Sequence, residues 1–172
     1  SYVVTSFSAP VNTLMTNVIG TANLLEAVRL LEIDPHIMIC SSSEVYGNVQ
    51  KDELPITEET PLRPMSPYGV SKVAEDLLGY QYAISYGMRI VRTRMFTHTG
   101  PRRGDVFAES SFAKQIAEWE IHERDHISVG NLESIRTICD VRDAVRAYWM
   151  TDGCLAGEAY NIGGNETMKI GE

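Results

Sequence analysis

The sequence predicts an α/β chain with a doubly wound parallel sheet. Segments of helical period alternate along it with short, continuous apolar runs, the pattern of strands buried on both faces by crossover helices. Turn-forming residues stand at the changes between the two. The most distinctive polar cluster, Ser42-Ser43-Glu44, begins one residue beyond the apolar run Ile37-Met38-Ile39-Cys40. Open α/β sheets place their ligand sites outside the carboxyl ends of their strands.

Taken in order, Pro10 to about Glu32 carries Leu14, Val18, Ala22, Leu25, Val28 and Leu31 at steps of three and four, which predicts one amphipathic helix. Asp34-Pro35 ends it. Ile37 to Cys40 predicts a parallel strand buried on both faces. Asn48 to Met65, rich in Pro, Thr and Glu, predicts a loop. Ser66-Pro67 opens a second helix, because Pro is tolerated in a first turn, and Gly87 closes it. Arg89 to Met95 predicts a second strand, and Gly100-Pro101 breaks the chain again. Phe107 to His122 predicts a third helix, Ile127 to Val129 a short strand, and Val141 to about Met150 a fourth helix. No repeat or linker interrupts the pattern, and 172 residues make one domain's worth of chain.

Hydrophobic residues make up 44% of the chain and charged residues 22%, as in ordinary globular proteins. The net charge of −8 argues against nucleic acid as a partner, while leaving room for a local basic pocket that takes a diphosphate. No apolar run approaches the roughly 20 residues of a membrane span, and no signal-peptide layout opens the chain, so no membrane partner is expected. Cys40, Cys139 and Cys154 are odd in number and widely spaced. They read as packing residues in a reducing compartment, which predicts a cytoplasmic protein. His98, His122 and His126 lack metal-ligand spacing, and no metal site is predicted.

The chemistry concentrates at Tyr68-Gly69-Val70-Ser71-Lys72. A Tyr and a Lys four apart on a helix share a face, so the ammonium can sit beside the phenol. A nearby positive charge favours the phenolate and brings a group that titrates near ~10 into working range as an acid/base. Ser42 offers a hydroxyl to the same substrate oxygen. Glu44 adds a second proton-transfer group, which a simple alcohol–ketone interconversion does not require.

These residues, with Thr16 to Glu26, Ser41 to Gly47, Ser66 to Lys72 and Val129 to Glu133, resemble the nucleotide-sugar branch of the extended short-chain dehydrogenase/reductase family. The resemblance runs along nearly the whole chain. Tyr46 to Gln50 and Pro101-Arg102-Arg103-Gly104 with Phe107 look like GDP-mannose 4,6-dehydratases. Arg63 to Pro67, Phe112 to Ile116 and Asp140 to Asp143 look more like GDP-4-keto-6-deoxymannose reductases. The resemblance implies a Rossmann-like fold and NAD or NADP as cofactor. Such a fold opens with a strand, a glycine-rich turn and a helix, yet no Gly-x-Gly-x-x-Gly or Gly-x-x-Gly-x-x-Gly occurs, and the chain goes from Ser1-Tyr2-Val3 almost at once into a helix. The expected fold is therefore partial, lacking the N-terminal Gly-rich βαβ unit. Residues 1–172 read as the central part of a longer enzyme, with the substrate-binding region starting from about 100. The residue that tells NAD from NADP would lie in the missing unit.

The resemblance also assigns roles. Ser42, Glu44, Tyr68 and Lys72 are the expected catalytic residues, and Tyr68, Lys72 and Asn17 the cofactor contacts. Ser6, in a loop with Phe7, and Ser43 are expected to face the sugar. Arg102, Arg103 and Arg136 are the expected diphosphate clamps, because guanidinium forks match phosphate oxygens in bidentate geometry, and Lys114 is a weaker candidate. Thr97 stands where the family has an asparagine before His98, which puts its substrate contact in doubt. Thr137-Ile138-Cys139 replaces a segment that begins with Asp.

The leading expectation is a GDP-mannose-type 4,6-dehydratase acting on a nucleotide-diphosphate sugar. Tyr68 would take the C4 hydroxyl proton and Glu44 the C5 proton. A 4-keto-sugar reductase and an epimerase are the alternatives within the family. A remnant or assembly module without catalysis is the alternative of another class. The apolar residues of the first two helices, Leu77, Leu78, Tyr80, Tyr82 and Ile84 among them, exceed one buried stripe. They predict a helical interface in a homodimer or homotetramer, as in the family's dimers.

Overall fold

A computed structural model describes residues 3–172, so Ser1 and Tyr2, the opening of the sequence reading, lie outside it. The described residues divide into two compact units, one of residues 3–96 and 146–162 and the other of residues 97–145 and 163–172.

The first unit holds a wholly parallel three-stranded sheet in the order β1-β2-β5, made of β1 (Ile37–Cys40), β2 (Ile90–Met95) and β5 (Ala159–Ile162). Ile37 pairs with Ile90 and Cys40 with Thr93, while Arg92 pairs with Ala159 and Met95 with Ile162. Parallel order demands crossovers, and α4 (Pro67–Tyr86) supplies the one from β1 to β2. Ser66 caps it, its Oγ accepting from Gly69 N at 2.9 Å, Pro67 occupies the first turn, and Gly87 ends it in the left-handed region at φ 67°. Every residue of β2 is buried, as expected of a central strand. Leu25, Ile39, Tyr82, Ala83 and Ile90 form the core of this unit.

Three features differ from the sequence reading. Helix begins earlier than Pro10: α1 (Val3–Ser8) precedes α2 (Pro10–Leu14), and a π-helical stretch, Met15–Ile19, joins α2 to α3 (Gly20–Leu30). Ser6 and Phe7 are therefore helical, not in a loop. Second, Leu25 is fully buried, but Leu14 and Leu31 from the same stripe are 37% and 68% exposed. Third, α4 buries two acids on the same side as its core residues Tyr82 and Ala83. Glu75 and Asp76 are buried while Leu77, Tyr80 and Ile84 are exposed.

In the second unit β3 (Thr97–Thr99) runs parallel to β4 (Ile135–Asp140), which pairs antiparallel with β6 (Thr167–Lys169). Helix α5 (Ala108–Glu120) has the predicted bounds to within two residues, with Phe107 at its N-cap. Ile127 to Val129 forms no strand. Its backbone is instead held by Gln115, whose side-chain amide donates to Ser128 O at 3.1 Å and accepts from Ser128 N at 2.7 Å. Helix α6 (Val141–Met150) matches its prediction, beginning in this unit and ending in the first.

Candidate active site

The expected catalytic pair lies where α4 starts, inside the first unit. Tyr68 and Lys72 lie one turn apart on one helix face, and Lys72 Nζ stands 5.7 Å from the centroid of the Tyr68 ring. The ammonium donates to the carbonyl oxygen of Cys40, the last residue of β1, at 2.9 Å and to Glu75 Oε2 at 2.7 Å. It thus ties the strand end to the helix beside the phenol.

Ser42 follows the strand. Its Oγ accepts from Glu44 N at 3.2 Å and so caps the single 3₁₀ turn Ser43–Val45. That turn lies directly against α4, because a Cβ on Gly69 would stand 2.9 Å from the Glu44 carbonyl oxygen and 2.9 Å from Pro64 Cβ. Only glycine permits so close an approach. Ser43 is half-buried and Glu44 is exposed, so the carboxylate is open to a substrate.

Asn17 sits in the π-helical stretch and donates through Nδ2 to Ser71 Oγ at 2.9 Å, and Ser71 in turn donates to the Tyr68 carbonyl at 2.7 Å. A π turn inserts a residue and re-aims the side chains around it, and such turns are frequent at functional sites. Asn17 thereby braces the turn that carries Tyr68. Ser6 is fully buried and its hydroxyl donates to Val3 O at 2.6 Å. The sugar-facing loop expected at this position is thus a helix.

Two participants escaped the sequence reading. Burial pushes the Tyr148 phenol up to about 12, with Cys40 and Tyr68 adding to it electrostatically and a hydrogen bond with Thr93 opposing. A second tyrosine therefore stands close to Tyr68 as a neutral phenol. Glu75, one turn beyond Lys72, is buried as well. Neither has a local motif: Tyr148 reaches Tyr68 only through the fold, and an acid three residues after a lysine is common on any helix.

The second unit carries a cavity of about 460 Å³ lined by Thr97, Arg103, Phe107, Ser128, Asn131 and Arg136, among others. Arg103 stacks on Phe107, its guanidinium carbon 3.9 Å from the ring centroid, and donates to the His98 carbonyl. Its Nε is buried without a hydrogen bond, 3.6 Å from a Glu109 carboxylate oxygen. Arg136 is exposed, with Nη1 donating to the Ile135 carbonyl at 2.8 Å. Arg102 does not join them. It is exposed in a turn at φ 72° and does not line the cavity. Lys114 pairs with Asp105 at 2.7 Å and borders a separate polar recess of about 290 Å³.

Known proteins share the sequence and fold of this chain. The GDP-6-deoxy-D-mannose reductase of Pseudomonas aeruginosa is 36% identical over 174 residues, an alignment covering all of this chain and 57% of the relative. A GDP-mannose 4,6-dehydratase of Yersinia enterocolitica is 38% identical over 152 residues, covering 87% of the chain and 40% of the relative. The chain thus spans about half the length of the curated relatives it matches. Among solved structures, the P. aeruginosa protein RMD, complexed with NADPH, superposes with a TM-score of 0.95 at 36% identity, over 99% of this chain and 59% of its own. The Streptomyces venezuelae dTDP-glucose 4,6-dehydratase DesIV, a double mutant with NAD and DAU bound, gives 0.88 at 27% identity, over 99% of this chain and 51% of its own. Residues 1–172 in full match the model of the GDP-mannose 4,6 dehydratase family, to which this Rossmann-like α/β chain accordingly belongs.

Proposed function

We propose that the protein is a nucleotide-sugar 4,6-dehydratase of the GDP-mannose type, working with NAD or NADP. One observation carries this reading: the turn bearing Glu44 is pressed onto the turn of α4 bearing Tyr68. A solvent-open carboxylate and a phenol–ammonium pair therefore share one compact unit. That makes two proton-transfer groups, as many as oxidation at C4 and elimination across C5–C6 need.

The residues suit a nicotinamide cofactor. Two of the three Lys72 ammonium protons go to Cys40 and Glu75, which leaves one for a ribose hydroxyl. The cofactor supplies the hydride acceptor and donor. Tyr68 takes the proton of the C4 hydroxyl, with Ser42 donating a hydrogen bond to the same oxygen. Glu44 then removes the C5 proton, acidified by the new ketone beside it, and hands it to the C6 hydroxyl, which leaves as water. C5 regains a proton from solvent as C6 is reduced.

The second unit is proposed as the substrate-binding region. Arg103 lines the cavity, and its guanidinium is proposed as a charged donor for a diphosphate oxygen, since guanidinium–phosphate pairs are strong and directional. Arg136 and Thr97 on the same cavity wall are proposed to join it. Phe107 holds the Arg103 guanidinium flat by stacking.

Incubation with GDP-mannose in deuterated water tests the proposal. A dehydratase incorporates deuterium at C5 with no net change in reduced-cofactor absorbance, and Glu44→Gln suppresses the exchange. No reaction with GDP-mannose, together with stoichiometric loss of reduced cofactor when the GDP-4-keto-6-deoxy sugar is supplied instead, would establish the second reading, a 4-keto-sugar reductase. That reading is favoured by the P. aeruginosa reductase, whose alignment covers the whole chain.

A further inference from the structure

Glu75 takes no part in the steps above, yet it is in contact with the group that performs them. Its Oε2 accepts from Lys72 Nζ at 2.7 Å, with the Glu75 side chain 8% and the Lys72 side chain 15% exposed. Solvated ion pairs on a helix surface hold their partners weakly. This one is enclosed, and its ammonium is also fixed from the opposite element by the Cys40 carbonyl at 2.9 Å. A lysine side chain held at two points on two elements has lost most of its rotamer freedom. Nearby anions capable of the same role are otherwise occupied: both oxygens of Asp76, the next residue, are taken by Arg92 and Arg94.

We propose that Glu75 is a positioning residue for the Tyr68–Lys72 pair: its carboxylate pins the Lys72 ammonium against the end of β1 and offsets part of its charge, so Tyr68 faces a tethered, partly neutralised cation. This rests on the reading of Tyr68 as the proton-transfer group. A free ammonium 5.7 Å from the ring would stabilise the phenolate through its full charge. With a carboxylate bonded to its far side the field at the phenol is weaker. Burial pushes the Glu75 carboxyl up while Lys72 opposes it, so the offset is greatest where Glu75 is ionised. The other titratable groups around the pair are Cys40 on β1, Tyr148 on α6 and Glu44 on the 3₁₀ turn. The Cys40 thiol is raised by burial and the Tyr148 phenol is held neutral, so neither supplies a competing negative charge at neutral pH. Glu44 is exposed, where solvent screens it.

The test reads Tyr68 directly. Tyrosinate absorbance is titrated in the complete protein and in its Tyr68→Phe counterpart, and their difference isolates Tyr68. In a Glu75→Gln background, which keeps the shape and an acceptor oxygen but removes the charge, the Tyr68 midpoint is expected to fall by about one pH unit. The acidic limb of the kcat profile should move with it while KM holds. Glu75→Asp, which keeps the charge, should shift the midpoint by less than half as much. Coincident midpoints in wild type and Glu75→Gln, or an equal shift in Glu75→Asp, would overturn the proposal and leave Glu75 as a structural ion pair. The titration needs no substrate, so it stands apart from the dehydratase assay. If Tyr68 moves no proton in catalysis, Tyr68→Phe keeps its turnover whatever the midpoint does.

Discussion

Tyr68 and Lys72 were legible because their relation is local. Four residues along a helix is one turn, so their proximity follows from the spacing alone. Ser42 and Glu44 were legible for a related reason, since they follow an apolar run whose end is a site in this class of fold. Glu75 and Tyr148 were not, because their meaning depends on which helix face turns inward and on a neighbour eighty residues away. Ser6 was misread for the opposite reason: a short Ser-containing stretch was taken as loop, yet Ser6 donates back to Val3 O as helical serines do. Replacing Tyr68 by Phe should leave circular dichroism unchanged and lower turnover by at least ~100-fold, the lower end of an acid/base contribution. Turnover near that of wild type would show that another group moves the proton.

At the scale of the elements, α4 was predicted closely because its ends carry explicit chemistry: a serine cap, a proline in the first turn, a glycine beyond the last. Ala159–Ile162 escapes a reading by apolar runs because Ala-Tyr-Asn-Ile has none, while Ile127 to Val129 reads as a strand because two β-branched residues flank Ser128. Pairing partners decide strands, and they lie far off in sequence. Helix α4 meets the sheet across Gly79, where a Cβ would come 2.7 Å from Ile39 Cγ1 and 3.3 Å from Arg92 Cγ. Gly79→Ala should therefore cost about 1–3 kcal/mol through overpacking, despite alanine's better helix propensity. Chemical denaturation measures it, and an unchanged midpoint would mean that the sheet gives way. The Gly69→Ala exchange should act differently, pushing the Glu44 turn off α4 and lowering turnover more than stability.

For the molecule as a whole, acid should be the destabilising direction. Arg29, Arg63 and Arg142 hold the carboxyls of Glu26, Glu53 and Asp140 at about 2. Asp76 is also held down, because Arg94 and Arg92 outweigh the burial that would raise it. Each of these folded-state values lies below its unfolded one. The unfolded chain thus binds more protons as pH falls from about 4 toward 2, and the stability these groups confer above pH 4 is lost across that window. Thermal midpoints measured through it should fall steadily, whereas a flat profile would mean that the pairs persist in the unfolded chain. Assembly is the second expectation at this scale. Val4, Phe7 and Val11 of α1 and α2, with Leu77, Tyr80 and Ile84 of α4, are each at least 46% exposed. Apolar helical surface of that kind is what a homodimer would bury, and light scattering at micromolar concentration should give twice the monomer mass. Among the described residues, no helix is long and apolar enough to cross a membrane.

Asp76 has a consequence for how the helix is indexed on the sheet. Arg92 and Arg94 project from one face of β2 and close on this single carboxylate, at 2.5 Å from Arg92 Nη1 and 2.9 Å from Arg94 Nε. Arg94 also reaches the Glu58 carbonyl and the Tyr46 hydroxyl, which donates to Asn161, while Arg92 holds the Gly157 carbonyl. An apolar seam would let a helix creep along a strand at small cost, because one methyl group substitutes for another. Here a slide of one turn would strand three buried charges together. The contact works as a detent with a single notch, and Tyr68 and Lys72, on the same rigid rod, inherit its accuracy.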